Sequence, residues 1–129
     1  MLTSVYLTVV LLISWYPSDC ENALGMQSGV ISNGQVSAST QYDSNHAAIQ
    51  GRLYYIPPAG KAGSWSAATL NGNQWLQIDL EVYSRVTRVA SQGRYAVNQW
   101  VTKYKLQYGN NASSLHYYVA EGETADKVS

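Results

Sequence analysis

The strongest constraint on the fold is a two-residue alternation of apolar and polar side chains in two segments of the chain. Successive side chains of a β-strand point to opposite faces of the sheet. One face of Gln74–Leu80 would carry Leu76, Ile78 and Leu80, and Val101–Tyr108 alternates in the same way. Residues after position 18 show no convincing helical period, so the sequence predicts an all-β fold of short strands joined by turns.

Other segments complete this pattern of short strands and irregular connections. Gln35–Thr40 and Leu115–Ala120 are predicted to be strands, and they follow the turn signals Asn33-Gly34 and Gly109–Asn111 respectively. Three segments lack a clear period or contain Pro and Gly, and they are predicted to be loops: Tyr42–Ile49, Pro57–Gly60 and Gly63–Ser66.

The alternation also predicts how one strand is paired. Arg85–Ser91 is expected to be the antiparallel partner of Gln74–Leu80, because only the short connection Glu81–Ser84 separates the two segments. In that register Asp79 would lie opposite Arg88. We therefore expect a cross-strand ion pair. Exposed ion pairs usually contribute ~0.2–1 kcal/mol to stability, so this pair should contribute a few tenths of a kcal/mol if it is exposed.

Composition narrows the class of protein. A chain of 129 residues favours one domain, and 12% charged against 46% hydrophobic residues is too apolar for a disordered chain. The formal net charge of +0 gives no basic footprint for a nucleic-acid partner. Within residues 43–108, seven cations and three anions give 7 − 3 = +4. That excess suits anionic lipid or sulfated glycan, although an ordinary solvated surface explains it as well.

The sequence offers little support for an enzyme. It has two histidines and one cysteine, with no nucleophile elbow, zinc spacing or phosphate loop. His46 lies near Asp43 in the chain, and this pair is better interpreted as part of a polar loop than as a proton relay. We expect no catalytic residues, no metal site and no cofactor.

The amino terminus has the character of a secretory signal. Val5–Trp15 is apolar and shorter than the ~20 residues that a membrane span needs. We predict that residues 1–18 are a signal peptide; the alternatives are a hydrophobic first strand or a retained anchor. A secreted protein is also consistent with the N-glycosylation sequon at Asn111-Ala-Ser113. Cys20, the single cysteine, then needs an explanation.

Several segments in order resemble the discoidin domain, also called the coagulation factor V/VIII type C domain. They are Asn73–Leu80 (NQWLQIDL), Thr87–Tyr95 (TRVASQGRY) and Gln99–Tyr108 (QWVTKYKLQY). The resemblance covers roughly residues 20–129 and implies a jelly-roll β-sandwich or barrel, with the last strands of the domain missing here. It also implies that Cys20 is half of a disulfide that closes the domain and whose partner is absent from this chain.

The resemblance implies that a ligand contacts three loops, or spikes, at one end of the fold. They correspond to Tyr42–His46, Tyr55–Pro58 and Arg94–Trp100. The expected ligand-binding residues are Tyr42, Asp43, Asn45, His46, Tyr55, Ile56, Arg94, Tyr95, Asn98 and Trp100. Trp100 could instead pack in the core, and Arg94 could be an internal salt-bridge partner. Some carbohydrate-binding relatives hold calcium with an Asp-Gly pair, but the corresponding place here is Gln50-Gly51, so no calcium site is expected.

These residues favour a secreted lectin-like module that binds cell-surface or matrix glycans and supports cell adhesion. Flat Tyr and Trp rings suit sugar faces, and Arg, Asn and His supply directional hydrogen bonds. The alternatives are peripheral binding to anionic phospholipid and recognition of an extracellular protein. The polar tip of the first spike, Asp43–His46, disfavours insertion into lipid, for which Ile56 and Tyr95 are the only fair anchors.

Overall fold

Short strands dominate the architecture. The computed structural model describes residues 5–12, 22–123 and 126–128, the first and last of these ranges as backbone only. Its strands are β1 (Val5–Leu12), β2 (Val36–Ala38), β3 (Gln74–Tyr83), β4 (Lys103–Tyr108), β5 (His116–Tyr117) and β6 (Asp126–Val128). Within those ranges the helical elements are three single 3₁₀ turns, at Asn33–Gln35, Ser44–His46 and Ala48–Gln50. The prediction of an all-β fold is confirmed.

The strands form one six-stranded sheet. Its order is β2-β3-β1-β4-β5, with β6 also paired to β4. β1 runs parallel to both β3 and β4, whereas the β2–β3, β4–β5 and β4–β6 pairs are antiparallel. The described strands therefore make an open sheet with β2 and β5 at its two ends.

The apolar amino-terminal segment is a strand within this sheet. The backbone of β1 lies between β3 and β4, with Val5 in register with Gln74 and Leu7 with both Leu76 and Leu106. This geometry matches the sequence-based alternative of a first strand. The predicted removal of residues 1–18 concerns processing and remains a prediction. Cys20, with its predicted disulfide, lies outside the described residues.

The predicted partner of β3 is wrong. Residues 84–91 form no strand, and β3 pairs instead with β2, where Val36 faces Ile78 and Ala38 faces Leu76. The register that would set Asp79 opposite Arg88 therefore does not exist. The sequence suggested a hairpin because the two segments are adjacent in the chain, but the neighbours of β3 come from distant parts of it. The Asp79 carboxylate accepts a hydrogen bond from the Glu81 N–H at 2.8 Å.

The hydrophobic core lies against one face of β2 and β3, as the alternation predicts. Leu76 and Leu80 are each 7% exposed, and Ile78 packs against the same cluster. The other buried apolar members of the core are Ile31, Val36 and Ala48, with Met26, Ala38, Trp65 and Val86 packed around them. This burial fixes the first half of β3. The segments that lead to the loops described below are attached to that part of the strand.

A buried glutamine fixes the start of β3. The Gln74 side-chain NH₂ donates to Thr69 Oγ1 at 3.0 Å and to Asn71 Oδ1 at 2.9 Å. Its carbonyl oxygen accepts from the hydroxyls of Ser39, at 2.9 Å, and Thr40. A side-chain amide has two donors and an acceptor with two lone pairs, so all four of its hydrogen bonds are made. Gln74 thereby joins the end of the segment after β2 to the loop before β3.

We predict that Gln74→Leu destabilises the fold. The change removes all four hydrogen bonds at a position only 5% exposed. It leaves the partly buried hydroxyls of Ser39 and Thr40 without this acceptor, at a cost of about 1–3 kcal/mol. Gln77→Leu, on the opposite face of β3, is the matched control and should change the free energy of unfolding by no more than about 0.5 kcal/mol. Urea denaturation measures both; equal losses would contradict the role given to Gln74.

Candidate functional site

The first loop, Tyr42–His46, is ordered by its own side chains. Asp43 Oδ1 caps the 3₁₀ turn by accepting from the Asn45 N–H at 2.8 Å and from His46 Nδ1 at 2.7 Å. Because an ionised carboxylate only accepts hydrogen bonds, His46 Nδ1 carries the proton in this contact. The Tyr42 ring meets the His46 ring edge-on, with centroids 5.4 Å apart. Tyr42 nevertheless remains 68% exposed, so its ring is held in place and is open to solvent.

A second segment, the strap Lys61–Ser66, runs beside the first loop and is bonded to it along its length. The Tyr42 N–H donates to Ser66 O at 2.8 Å, and the Ser66 N–H donates to His46 O at 3.3 Å. The Ala62 N–H donates to Asn45 O at 2.9 Å. These backbone bonds attach the loop to the strap much as two strands of a sheet are attached.

The same strap contacts the third loop, Arg94–Trp100. The Tyr95 N–H donates to Gly63 O at 3.3 Å. The loop is closed on itself by a bond from the Arg94 N–H to Gln99 O at 2.8 Å and by a second bond from Arg94 Nη1 to Gln99 Oε1 at 2.9 Å. Arg94 is thus a hydrogen-bonding partner within its loop. The strap therefore lies between the first and third loops and joins them.

The second loop, Tyr55–Pro58, is tied to the base of the third. The N–H of Tyr54, the residue just before it, donates to Gln92 Oε1 at 2.6 Å. Tyr54 has φ 53° and Ala96, in the third loop, has φ 57°. Non-glycine residues rarely adopt this left-handed region, and the strain is sustained only where surrounding contacts fix the backbone. The contacts of Tyr54 and of the third loop supply that restraint.

The structure brings the three predicted loops together through these contacts. The predicted site residues that are exposed are Tyr42, Asp43, Ile56, Tyr95, Asn98 and Trp100, and those that are partly buried are Asn45, His46, Tyr55 and Arg94. Trp100 is 50% exposed, so the alternative that it is a core residue is wrong. Arg94 Nε is enclosed and has no hydrogen-bond partner among the described residues.

Four residues of this region are not in the predicted ligand-binding set, although one of them, Val97, lies within the predicted third loop. Tyr54 and Val97 are exposed beside the predicted residues, and Lys61 and Gly63 belong to the strap. Lys61 Nζ lies 3.2 Å from Asn45 Oδ1, to which it donates. Val97 could have been predicted as a contact residue, because it is an apolar residue within a loop that was expected to meet the ligand. The strap offered none, because its contacts join positions distant in the chain.

The described part of the chain lacks the features of a metal site or a membrane-spanning helix. It contains no group of three or more His, Cys, Asp or Glu side chains that could hold a metal ion. Gln50, which the resemblance compares with a calcium-binding Asp, is 2% exposed, and its Oε1 has no hydrogen-bond partner among the described residues. No helix within the described ranges has the length and apolar character to cross a bilayer.

Strands that hold a cluster of exposed aromatic and polar loops are the architecture of a binding module. The family is given by a direct match: the family model of the F5/8 type C domain covers residues 35–129. The chain belongs to this family, whose domains are non-catalytic binding modules. The resemblance drawn from the sequence motifs is confirmed.

Individual relatives show the same similarity. The chain is 33% identical over 116 residues to human EGF-like repeat and discoidin I-like domain-containing protein 3, covering 86% of this chain and 24% of that protein. It is 32% identical to bovine lactadherin (84% and 27%) and 30% identical to pig coagulation factor V (84% and 5%). The chain thus spans about a quarter or less of the length of these relatives. No solved structure gave a significant match.

We predict that the Asp43–His46 contact responds to acid. The hydrogen bond from His46 is the main cause that holds the pKa of Asp43 below its ordinary value of 3.8. Because the folded state favours the carboxylate, this contact stabilises the loop above pH 3.8, and the contribution is lost as pH falls through the lower folded pKa.

The Asp43 carboxyl carbon can be followed in an NMR titration. Its midpoint should rise in His46→Ala and should be unchanged in His116→Ala, the matched control at the other histidine. An identical midpoint in His46→Ala and the unsubstituted protein would contradict the assignment.

Proposed function

We propose that this protein is an extracellular, non-catalytic module whose three loops bind cell-surface or matrix glycans and thereby support cell adhesion. The observation that carries the proposal is the joining of the first and third loops by the strap Lys61–Ser66, with aromatic rings left exposed around it. The proposed ligand-binding residues are those predicted from the sequence, together with Tyr54 and Val97.

The chemistry of the exposed groups suits a sugar. The Tyr95 and Trp100 rings present flat apolar faces with a polar edge, which match the C–H face of a pyranose. Asn45 and Asn98 offer amide donors and acceptors for hydroxyl groups. Because the first and third loops are already fixed by backbone hydrogen bonds, little ordering entropy would be lost on binding.

Anionic phospholipid is the second candidate, and one observation favours it. Ile56 is 70% exposed, Val97 45% and Trp100 50%, so three apolar side chains face solvent on two of the loops. Apolar tips with cations behind them can enter a membrane interface. Lys61 supplies a cation beside the first loop. The tip of that loop, however, consists of the polar residues Asp43, Ser44 and Asn45, which would stay in water.

We predict that Trp100→Ala and Arg94→Ala each weaken glycan binding about tenfold or more, equivalent to ~1.4 kcal/mol. Trp100 would lose its stacking face, and Arg94→Ala would loosen the turn that presents it. Both residues lie outside the core, so the melting temperature should change little. A glycan array followed by calorimetric titration of the best binder measures the effect, and Tyr83→Ala, an exposed aromatic at the far end of β3, is the control.

Three results would count against glycan binding. One is the absence of array signal that free sugar competes. Another is a large fall in melting temperature for Trp100→Ala without a specific loss of binding. The third is binding to phosphatidylserine vesicles that weakens with added salt, which would favour the lipid candidate since exposed charge interactions are screened.

Extracellular location is tested by glycosylation at Asn111. This residue is exposed in the loop between β4 and β5, and its Oδ1 accepts from the Ser113 N–H at 3.1 Å and the Ser113 hydroxyl at 2.7 Å. Expression in a secreting eukaryotic cell should add one N-glycan, visible in the intact mass. Asn111→Gln should abolish it and Asn110→Gln should not. An unglycosylated product retained in the cytosol would contradict the proposed location.

A further inference from the structure

We infer that Gly63 is a positioning residue that lets the strap Lys61–Ser66 hold the third loop beside the first. The inference deepens the proposed function, on which its consequence for binding rests. A Cβ atom built on Gly63 would lie 2.4 Å from Tyr95 Cβ and 3.3 Å from the Tyr95 backbone N and Cα. Contacts of Cβ atoms under 3.0 Å are essentially never seen, so any other residue at position 63 would displace Tyr95 or the strap.

The requirement for glycine comes from contact and not from backbone conformation. The glycines with positive φ are Gly25, Gly29, Gly60 and Gly122 among the described residues, and Gly63 is not one of them. An alanine could therefore adopt the backbone of Gly63 without left-handed strain. What excludes a side chain is the close approach of Tyr95, whose N–H donates to Gly63 O.

The strap has little freedom to yield. On its other side the Ala62 N–H is bonded to Asn45 O, and Ala62 is 6% exposed. Moving the strap away from Tyr95 would push Ala62 against Asn45 of the first loop. Tyr95 cannot yield by a change of rotamer either, because its Cβ is fixed to the backbone and does not move when χ1 rotates.

The third loop would therefore move as a unit. Its closing bonds between Arg94 and Gln99 hold its backbone together, so a shift at Tyr95 carries Trp100 with it. Substitution at Gly63 should thus separate the first loop from the third while leaving each loop internally intact. A ligand that contacts both loops would lose affinity, by about tenfold or more if one loop is lost from the contact.

A mutant cycle on the full chain tests the contact without any ligand. Gly63→Ala is combined with Tyr95→Ala, which keeps the Cβ atom, and with Tyr95→Gly, which removes it. We expect Gly63→Ala to lower the denaturation midpoint equally with Tyr95 or Tyr95→Ala, and the loss to fall by at least half with Tyr95→Gly. Failure of Gly63→Ala to fold except together with Tyr95→Gly would also support the inference. Equal loss in all three backgrounds, or no loss, would overturn it.

Gly34→Ala is the matched control. Gly34 also lacks a positive φ, and a Cβ there would lie 3.8 Å from its nearest neighbour, Ser32 Oγ, which is ordinary contact. It should leave the midpoint and the NMR spectrum of the loops unchanged. Gly63→Ala should shift the Trp100 indole N–H resonance while the Asp43–His46 contact persists. In the double variant Gly63→Ala/Tyr95→Gly, the Trp100 resonance should lie close to its position in the single variant Tyr95→Gly.

Binding separates this inference from the proposed function. If the unsubstituted protein binds neither glycans nor vesicles, the proposed function fails, and the mutant cycle still decides the role of Gly63. If the unsubstituted protein binds and Gly63→Ala binds equally well despite a shifted Trp100 resonance, the positioning role in binding is overturned.

Discussion

The hydrogen bonds of the buried Gln74 amide join the start of β3 to both segments that lead toward the loops. Through Ser39 and Thr40 they fix the chain just before the first loop. The Thr40 backbone O in turn accepts from Trp65 Nε1 at 2.8 Å, and its hydroxyl accepts from the Ala68 N–H at 3.0 Å. A polar group buried at this point is thus fully satisfied, and its partners lead directly into the first loop and the strap.

Rigidity passes from the sheet to the loops by contact. Apolar burial of Leu76 and Leu80 holds β3, β3 holds Thr40 and Trp65, and Trp65 belongs to the strap that joins the first and third loops. Positive φ values at Tyr54 and Ala96 show that the second-loop entrance and the third loop are fixed in a conformation that isolated chains avoid. Because the backbone of these loops is fixed, their aromatic rings stay exposed to solvent and do not fold back against the protein.

The amino-terminal strand β1 lies within the segment that we predict is cleaved, so its place in the sheet depends on whether folding or cleavage comes first. β1 occupies the position between β3 and β4 and is parallel to both. If residues 1–18 are removed on secretion, as we propose, the facing edges of β3 and β4 lose this neighbour. Unpaired strand edges are prone to pair with other segments. The mature protein would therefore need another way to satisfy those edges, which makes the order of folding and cleavage important for this chain.

The sequence by itself determined the fold class, the strand at Gln74–Leu80 and the character of the loops. Alternation of apolar and polar side chains is a local property, and family motifs record loop positions directly. Tertiary structure alone decided that β3 pairs with β2 and not with Arg85–Ser91, that Gln74 is a buried connector, and that Gly63 meets Tyr95. The contacts that decide these points, Val36 with Ile78, Thr40 with Gln74 and Gly63 with Tyr95, each join residues about 30 or more positions apart. No local pattern of side chains specifies which distant segments will meet.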